Sequence, residues 1–353
     1  MYNEVIKGIR GLDEAIMAKT SGGLDRLIKP IGSLGKLESL AIQIAGVTGK
    51  ERNEINKKCI VIMSADNGIW ESGVSPVPQN VTLMQTINFT KGICGINVLS
   101  KHSGADIKIV DIGVNGDISH PDIIDRKIRK GTWNMSKGPA MTRDEAIKAV
   151  EVGIEMVRDL VAGGYDLIGT GEMGIGNTST SSAILMALTG CSAEVAVGKG
   201  GGISEEYFQN KKKTLQKVIE INKPESNDTL DVLAKVGGFD IAGLVGCYLG
   251  AAYFRVPIVI DGFISAAAAL VAYKLNPISK QFMIASHESS EPGYKLIMDE
   301  IGISPMLNLN MRLGEGTGCP LAFNIIEAAT KIASQMATFE EAALEDDYLV
   351  DIR

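Results

Sequence analysis

The chain has 353 residues, 45% of them apolar, and a formal net charge of −7. That length can bury a large core in one domain or two, and the acidic balance argues against a nucleic acid or an acidic membrane surface as the main partner. Forty glycines beside few aromatic residues suit an α/β chain with many tight strand-to-helix turns.

The opening MYNEVIKGIRGLDEAI carries acids and lacks an apolar run, so it does not read as a signal peptide. The first fifty residues are mostly helical in pattern and hold no convincing strand. From Cys59, CIVIMSADNG reads as a strand ending at Asp66, and IKIVDIG, from Ile107, as another ending near Asp111. TRDEAIKAVEVGIEMVRDLVAGG follows with apolar residues spaced by three and four, an amphipathic helix.

The next strand, YDLIGTGEMG, ends at Glu172 and runs into IGTGEMGIGNTSTSSAIL. Gly169, Gly171, Gly174 and Gly176 let the backbone approach a ligand, and Asn177 or Thr178 can cap the helix that follows. Free amides at that helix start, with the hydroxyls of Thr178, Ser179 and Thr180, make a phosphate seat. A tight turn with a capped helix is the alternative. The loop is neither a Walker loop nor the dinucleotide fingerprint, because the Gly-Lys-Ser/Thr of the first and the spacing and ribose acid of the second are absent. A second glycine run, VGKGGGISEE, follows another expected strand and adds Lys199, and Lys211 stands on the next helix, where it can reach an anion. The rest of the basic cluster NKKKTLQK reads as a solvated helix face.

VGGFDIAGLVGCYLGAAYF is the most membrane-like segment, but Asp240 and its glycines break it, and a buried helix explains it better. VPIVIDGF and QFMIASHES are two more strands, ending at Asp261 and Glu288. Strands alternating with helices imply a doubly wound, mostly parallel α/β sheet of Rossmann-like type. Ligands in such sheets sit beyond the carboxyl ends of the strands, where Asp66, Asp111, Glu172, Asp261 and Glu288 collect. Near the C-terminus, NMRLGEGTGCPLAF sets Glu315 between two glycines with Met311, Leu313 and Leu321 beside it. Such a carboxylate is either a solvated turn or a base held in a dry pocket. The helical end of the chain, PLAFNIIEAATKIASQMATFEEAALEDD, is expected to pack with the N-terminal segment as a small helical subdomain. The division is residues 50–300 for the α/β core and 1–49 plus 301–353 for the subdomain carrying the Glu315 loop.

Cys59, Cys94, Cys191, Cys247 and Cys319 stand far apart without a Cys-x-x-Cys pair, which points to a reducing, cytoplasmic setting and no structural zinc. His102, His120 and His287 have no ligand spacing, and no Asp-Asp pair suggests magnesium-bound pyrophosphate, so no metal and no cofactor are expected.

Seven segments, KPIGSLGKLE, ADNGIWESGVSPVPQNVT, GTWNMSKGPAMTRDEA, GTGEMGIGNTSTSSAI, IDGFISAAAA, SHESSEPG and RLGEGTG, occur in the order seen in one family. Over residues 29 to 330 the chain resembles the nicotinate-nucleotide:dimethylbenzimidazole phosphoribosyltransferases of cobamide assembly, which include relatives that accept phenol or p-cresol. The resemblance implies transfer of phosphoribose from nicotinate mononucleotide to an aromatic base, giving nicotinate and an α-riboside 5′-phosphate. It implies a doubly wound sheet with a small helical domain, in a dimer whose site lies near the interface. Glu315 matches the family's catalytic base. Gly174, Gly176, Asn177, Thr178 and Lys211 match its phosphate seat, with Glu172 and Asp261 placed to meet the ribose. Ser75, Pro76, Met84, Gln85, Met173 and Leu313 are expected in the aromatic-base pocket.

Three positions depart from the family. Asn67 stands where Ala-Asp-His-Gly is usual, and Lys199 to Gly202 stand where Arg-Gly-Thr-Gly is usual. VTLMQ replaces VTxQM, so Met84 takes the usual glutamine's place and Gln85 follows. Three readings stay open on the sequence. They are transfer to an azole in a homodimer, the same chemistry on phenol or p-cresol in a heterodimer with a paralogue, and a non-catalytic nucleotide-binding subunit.

Overall fold

A computed structural model describes residues 1–352. Six strands, β1 (Lys58–Ala65), β2 (Ala105–Gly113), β3 (Ile123–Asp125), β4 (Leu167–Met173), β5 (Ile258–Ile260) and β6 (Met283–Ala285), form one sheet in the order β3-β2-β1-β4-β5-β6. Every pairing is parallel. The order reverses between β1 and β4, so the doubly wound expectation holds and the switch point lies beyond the ends of those two strands. β1 is buried along its whole length, as a central parallel strand covered on both faces must be. Its near-continuous apolar run follows from that burial.

The five strands read from the sequence are β1, β2, β4, β5 and β6. The edge strand β3, three residues long, carries no run that would announce it. The expected strand before the second glycine run is absent: Ala193–Ala196 is a short helix. Four residues of alternating pattern fit a helical turn as well as a strand, and here Ser182 Oγ donates to the Ala196 carbonyl at 2.8 Å, tying this turn to the neighbouring helix.

Helices cover both faces. On one, the Phe239–Phe254 helix, buried over nearly all its length, lies against β1 and the Arg143–Ala162 helix. Its glycines allow that approach, because a Cβ at Gly246 would collide with the Val150 carbonyl. The Arg143–Ala162 helix begins in a capping box: Glu145 N donates to Thr142 Oγ1 at 3.1 Å and Thr142 N to Glu145 Oε2 at 2.8 Å. On the other face, Leu40 and Ile44 from the Lys36–Thr48 helix and Phe323 and Ile326 from the Gly318–Gln335 helix pack over Ile60, Ile62 and Val259 of the sheet. The same helices meet the Glu14–Asp25 helix in a small cluster of Leu24, Leu27 and Ala41 with Ile332 and Met336. No helix among the described residues is long and apolar enough to cross a membrane.

Candidate active site

A cavity of about 320 Å³ opens over the switch point. Glu172 and Met173 at the end of β4, with Asp261 and His287 just beyond β5 and β6, deliver its floor, and the Val81–Thr90 helix, the glycine loop at 198–203 and the Arg312–Glu315 segment form its walls. Of the expected site residues, Glu172, Met173, Gly174, Gly176, Asn177, Thr178, Lys211, Asp261, Ser75, Gln85, Leu313 and Glu315 all line it.

Two do not. Pro76 is exposed beside the cavity, and Met84 points to solvent with 55% of its surface free. Val81 and Gln85, one helical turn apart, face inward instead. Gln85, rather than Met84, therefore occupies the pocket position on this helix. Lys199 lies at the mouth and pairs with Glu205 at 3.2 Å.

Glu315 is 7% exposed. Gln85 Nε2 donates to its Oε1 at 2.6 Å, and the Ile96 amide donates to its Oε2 at 3.3 Å. That amide belongs to the first turn of the Gly95–Ser103 helix, whose positive end thus faces the carboxylate. Gly314, Glu315 and Gly316 have φ values of +85°, +60° and +91°. Glycine on each side suits such a turn, and the one L residue between them holds a disfavoured conformation. β4 supports the turn from beneath at Gly171, where a Cβ would stand 2.5 Å from the Glu315 carbonyl oxygen. The solvated-turn alternative is excluded by this burial.

The phosphate-seat region is equally specific. The helix Asn177–Thr189 starts from Gly176, with no side-chain cap. Neither Asn177 nor Thr178, the two expected caps, serves as one: Thr178 Oγ1 accepts from Lys211, and the Asn177 side chain turns to buried acids. Its Nδ2 donates to Glu172 Oε2, and also to Asp240 Oδ2 at 3.2 Å. Asn67, the residue at the family's usual histidine position, donates to the same Asp240 oxygen at 3.3 Å and accepts from Thr180 Oγ1 at 2.9 Å. Lys211 is only 2% exposed, and its Nζ donates to Thr178 Oγ1 at 2.9 Å and to the Gly198 carbonyl at 3.2 Å. Burial pushes this ammonium down to about 8, with the Glu291 carboxylate acting in the opposite direction.

Burial pushes Glu172 up to about 8, and the charges of Asp240 and Asp261 add to the shift. Asp240 and Asp261 rise to about 7, burial again being the main cause. His287 lines the cavity as well, and burial lowers its pKa. No cluster of histidine, cysteine and carboxylate side chains suited to a metal occurs among the described residues.

The other strand-end acids have structural partners. Asp66 accepts from Asn115 N at 2.7 Å, Asp111 pairs with Lys127 at 2.9 Å, and Glu288 is exposed and accepts from Asn308. Sequence reasoning does not place Asp240 or Glu291 in the site. The acid interrupting the apolar run 236–254 is the available signal for the first, and the SHESSEPG segment contains the second.

The phosphoribosyltransferase family matches residues 9–344 of this chain. The nicotinate-nucleotide–dimethylbenzimidazole phosphoribosyltransferase of Clostridium acetobutylicum is 56% identical over 341 residues, 97% of either chain. Its namesake from Clostridium perfringens strain 13 is 51% identical over 353 residues, covering 100% of this chain and 98% of the other. The crystal structure of CobT from Thermus thermophilus superposes with a TM-score of 0.89 at 36% identity, covering 94% of this chain and 99% of that one. With a family match over residues 9–344 and more than half of its residues identical to a relative over nearly its whole length, the chain belongs to the nicotinate-nucleotide–dimethylbenzimidazole phosphoribosyltransferase family.

Proposed function

We propose that the protein transfers phosphoribose from nicotinate mononucleotide to 5,6-dimethylbenzimidazole or a related azole, with Glu315 as general base. The observation that carries this reading is one carboxylate, held by Gln85 and the Ile96 amide, in the wall of a cavity that also contains apolar Val74, Val77, Val81, Met173 and Leu313. Those side chains suit a flat hydrophobic ring. Across the cavity, the Gly176–Thr178 turn and Lys211 suit a 5′-phosphate.

The chemistry requires one base and no acid. The bond from C1′ to the pyridinium nitrogen breaks with its electron pair returning to the ring. The ring nitrogen thereby loses its positive charge and needs no proton to depart. A ring nitrogen of the azole supplies the new pair to C1′ from the opposite face, converting the β-linkage to α. The proton on the azole's other nitrogen passes to Glu315. A base so placed contributes about 10²–10⁴-fold, and fixed approach of the two substrates supplies a further share.

The test is Glu315→Gln with nicotinate release as the readout and dimethylbenzimidazole as acceptor. The expected result is a fall of about 10²–10⁴-fold with both substrates still bound. Near-normal turnover would reject the base assignment. In the same reading the helices Glu14–Asp25, Lys36–Thr48 and Gly318–Gln335 act as the unit that carries the Glu315 turn. A homodimer fits the exposed apolar side chains Ile93, Val98 and Leu313, the last of which lines the cavity, and sedimentation would report a monomer if it is wrong.

A further inference from the structure

We infer that Asp261 is a positioning residue: its carboxylate clamps the turn at 314–318 so that Glu315 faces the cavity. This rests on the transferase reading above. The sequence suggests a ribose contact for Asp261, but its hydrogen bonds point elsewhere. Asp261 follows β5 and is 2% exposed. Its Oδ2 accepts from the Gly316 amide at 3.0 Å, and its Oδ1 accepts from the Gly318 amide at 2.6 Å. Each oxygen is therefore engaged by backbone on one side or the other of Thr317.

The turn needs such a hold. Three successive residues with positive φ, one of them not glycine, relax unless their surroundings over-determine them. Within the turn, Thr317 Oγ1 donates to the Gly314 carbonyl at 2.8 Å and Thr317 N to the same oxygen at 3.0 Å. Those bonds close the loop on itself without fixing it to the sheet. Asp261 supplies the link to β5, and it meets the positive end of the Gly318–Gln335 helix as it does so. From beneath, the turn abuts Thr170 and Gly171 of β4 and Ile60 of β1. Asp261 thus sets the backbone from which Glu315 projects, and Gln85 and the Ile96 amide hold the carboxylate at its far end.

The experiment compares Asp261→Asn, Glu315→Gln and the double variant, following nicotinate release with benzimidazoles of graded ring N–H acidity. Asparagine keeps the volume but turns one acceptor into a donor facing an amide. The expected loss for Asp261→Asn is about 10- to 100-fold in kcat with dimethylbenzimidazole. KM for nicotinate mononucleotide should stay within about threefold, since uniform binding is untouched. The loss should shrink as the acceptor becomes more acidic, because a ring that ionises readily depends less on a well-aimed base. The double variant should be no slower than Glu315→Gln alone.

Multiplied losses in the double variant, or a loss equal for every acceptor, would overturn the clamp. Should Asp261→Asn fail to fold, Asp261→Ser retains an acceptor for one amide and is read by the same two criteria. A wild-type protein that releases no nicotinate with any acceptor would sink the transferase reading and this inference with it. An active wild type with multiplied losses sinks only the clamp.

Discussion

Replacing Lys211 by methionine should move binding and stability in opposite directions. The ammonium is buried, with Thr178 Oγ1 at 2.9 Å and the Gly198 carbonyl at 3.2 Å as acceptors, and burial lowers its pKa from 10.5 to about 8. The folded protein therefore binds fewer protons than the unfolded chain between those two values, and stability rises with pH across that window. Below it, holding the charge costs folding on the order of 3 kcal/mol. Methionine removes that cost and forfeits two hydrogen bonds worth about 1 kcal/mol each. At pH 7 the variant should be more stable by roughly 1 kcal/mol, which denaturant unfolding can measure.

Binding should suffer in return. A charge-assisted contact to phosphate contributes about 1.5–3 kcal/mol, so Kd for nicotinate mononucleotide should rise about 10- to 150-fold in Lys211→Met. In the wild type the required proton is lost above pH 8, and Kd for ribose 5-phosphate, which brings the phosphate without the pyridinium that couples to Glu172, should weaken about 30-fold between pH 7 and 9.5. Titration calorimetry at pH 8.5, in buffers of different ionisation heat, should find about 0.8 proton more taken up per ligand by the wild type than by the variant. A flat wild-type Kd over this range would refute the reasoning. So would a destabilised variant that binds normally.

Three further outcomes are expected. Gln85→Ala removes the 2.6 Å donor to Glu315 and should lower kcat by about tenfold with little change in KM for the nucleotide, in steady-state kinetics. Gly171→Ala forces a Cβ to 2.5 Å from the Glu315 carbonyl oxygen, and should cost about 1–3 kcal/mol in a thermal melt along with most of the activity. Lys29 and Glu38 form an ion pair of 2.7 Å with 5% and 7% of their side chains exposed. Lys29→Met strands the buried carboxylate and should cost about 3–5 kcal/mol in urea, most of it regained on adding Glu38→Leu.

The sheet is readable because central parallel strands must be apolar on both faces and must end where the chain turns toward the ligand side. That rule identifies β1, β2, β4, β5 and β6, and in the first four an acid or a glycine ends the strand or directly follows it. β3 escapes it, since an edge strand of three residues needs no apolar run. The glycine turn at 174–176 and Glu315 are readable for a related reason, because glycines around one polar group mark a close backbone approach. What stays hidden depends on side-chain direction. Nothing in VTLMQ says that Gln85 turns inward while Met84 turns out, as helix rotation is set by tertiary packing. Nor does Asn177 announce that its side chain turns to donate to two buried carboxyls instead of offering its oxygen to the amides of its own helix. Asp240 lies in view as an acid in an apolar helix, but only the folded chain brings it beside Glu172.

That group of buried acids makes a prediction of its own. At pH 7 Glu172, pushed up to about 8, holds its proton in the free protein, so the cavity carries less negative charge than its acids suggest. Nicotinate mononucleotide introduces a pyridinium cation, which favours the ionised carboxyl. Binding at pH 7 should therefore release up to about 0.9 proton, the opposite sign to the Lys211 uptake above pH 8. Ribose 5-phosphate brings the same phosphate without the cation and should release almost none. Glu172→Gln should abolish the release with nicotinate mononucleotide and leave ribose 5-phosphate binding unaltered. Equal proton counts for the two ligands on the wild type would mean that Glu172 does not face the positive end of the substrate, because a nearby cation cannot leave the ionisation of a buried carboxyl unchanged.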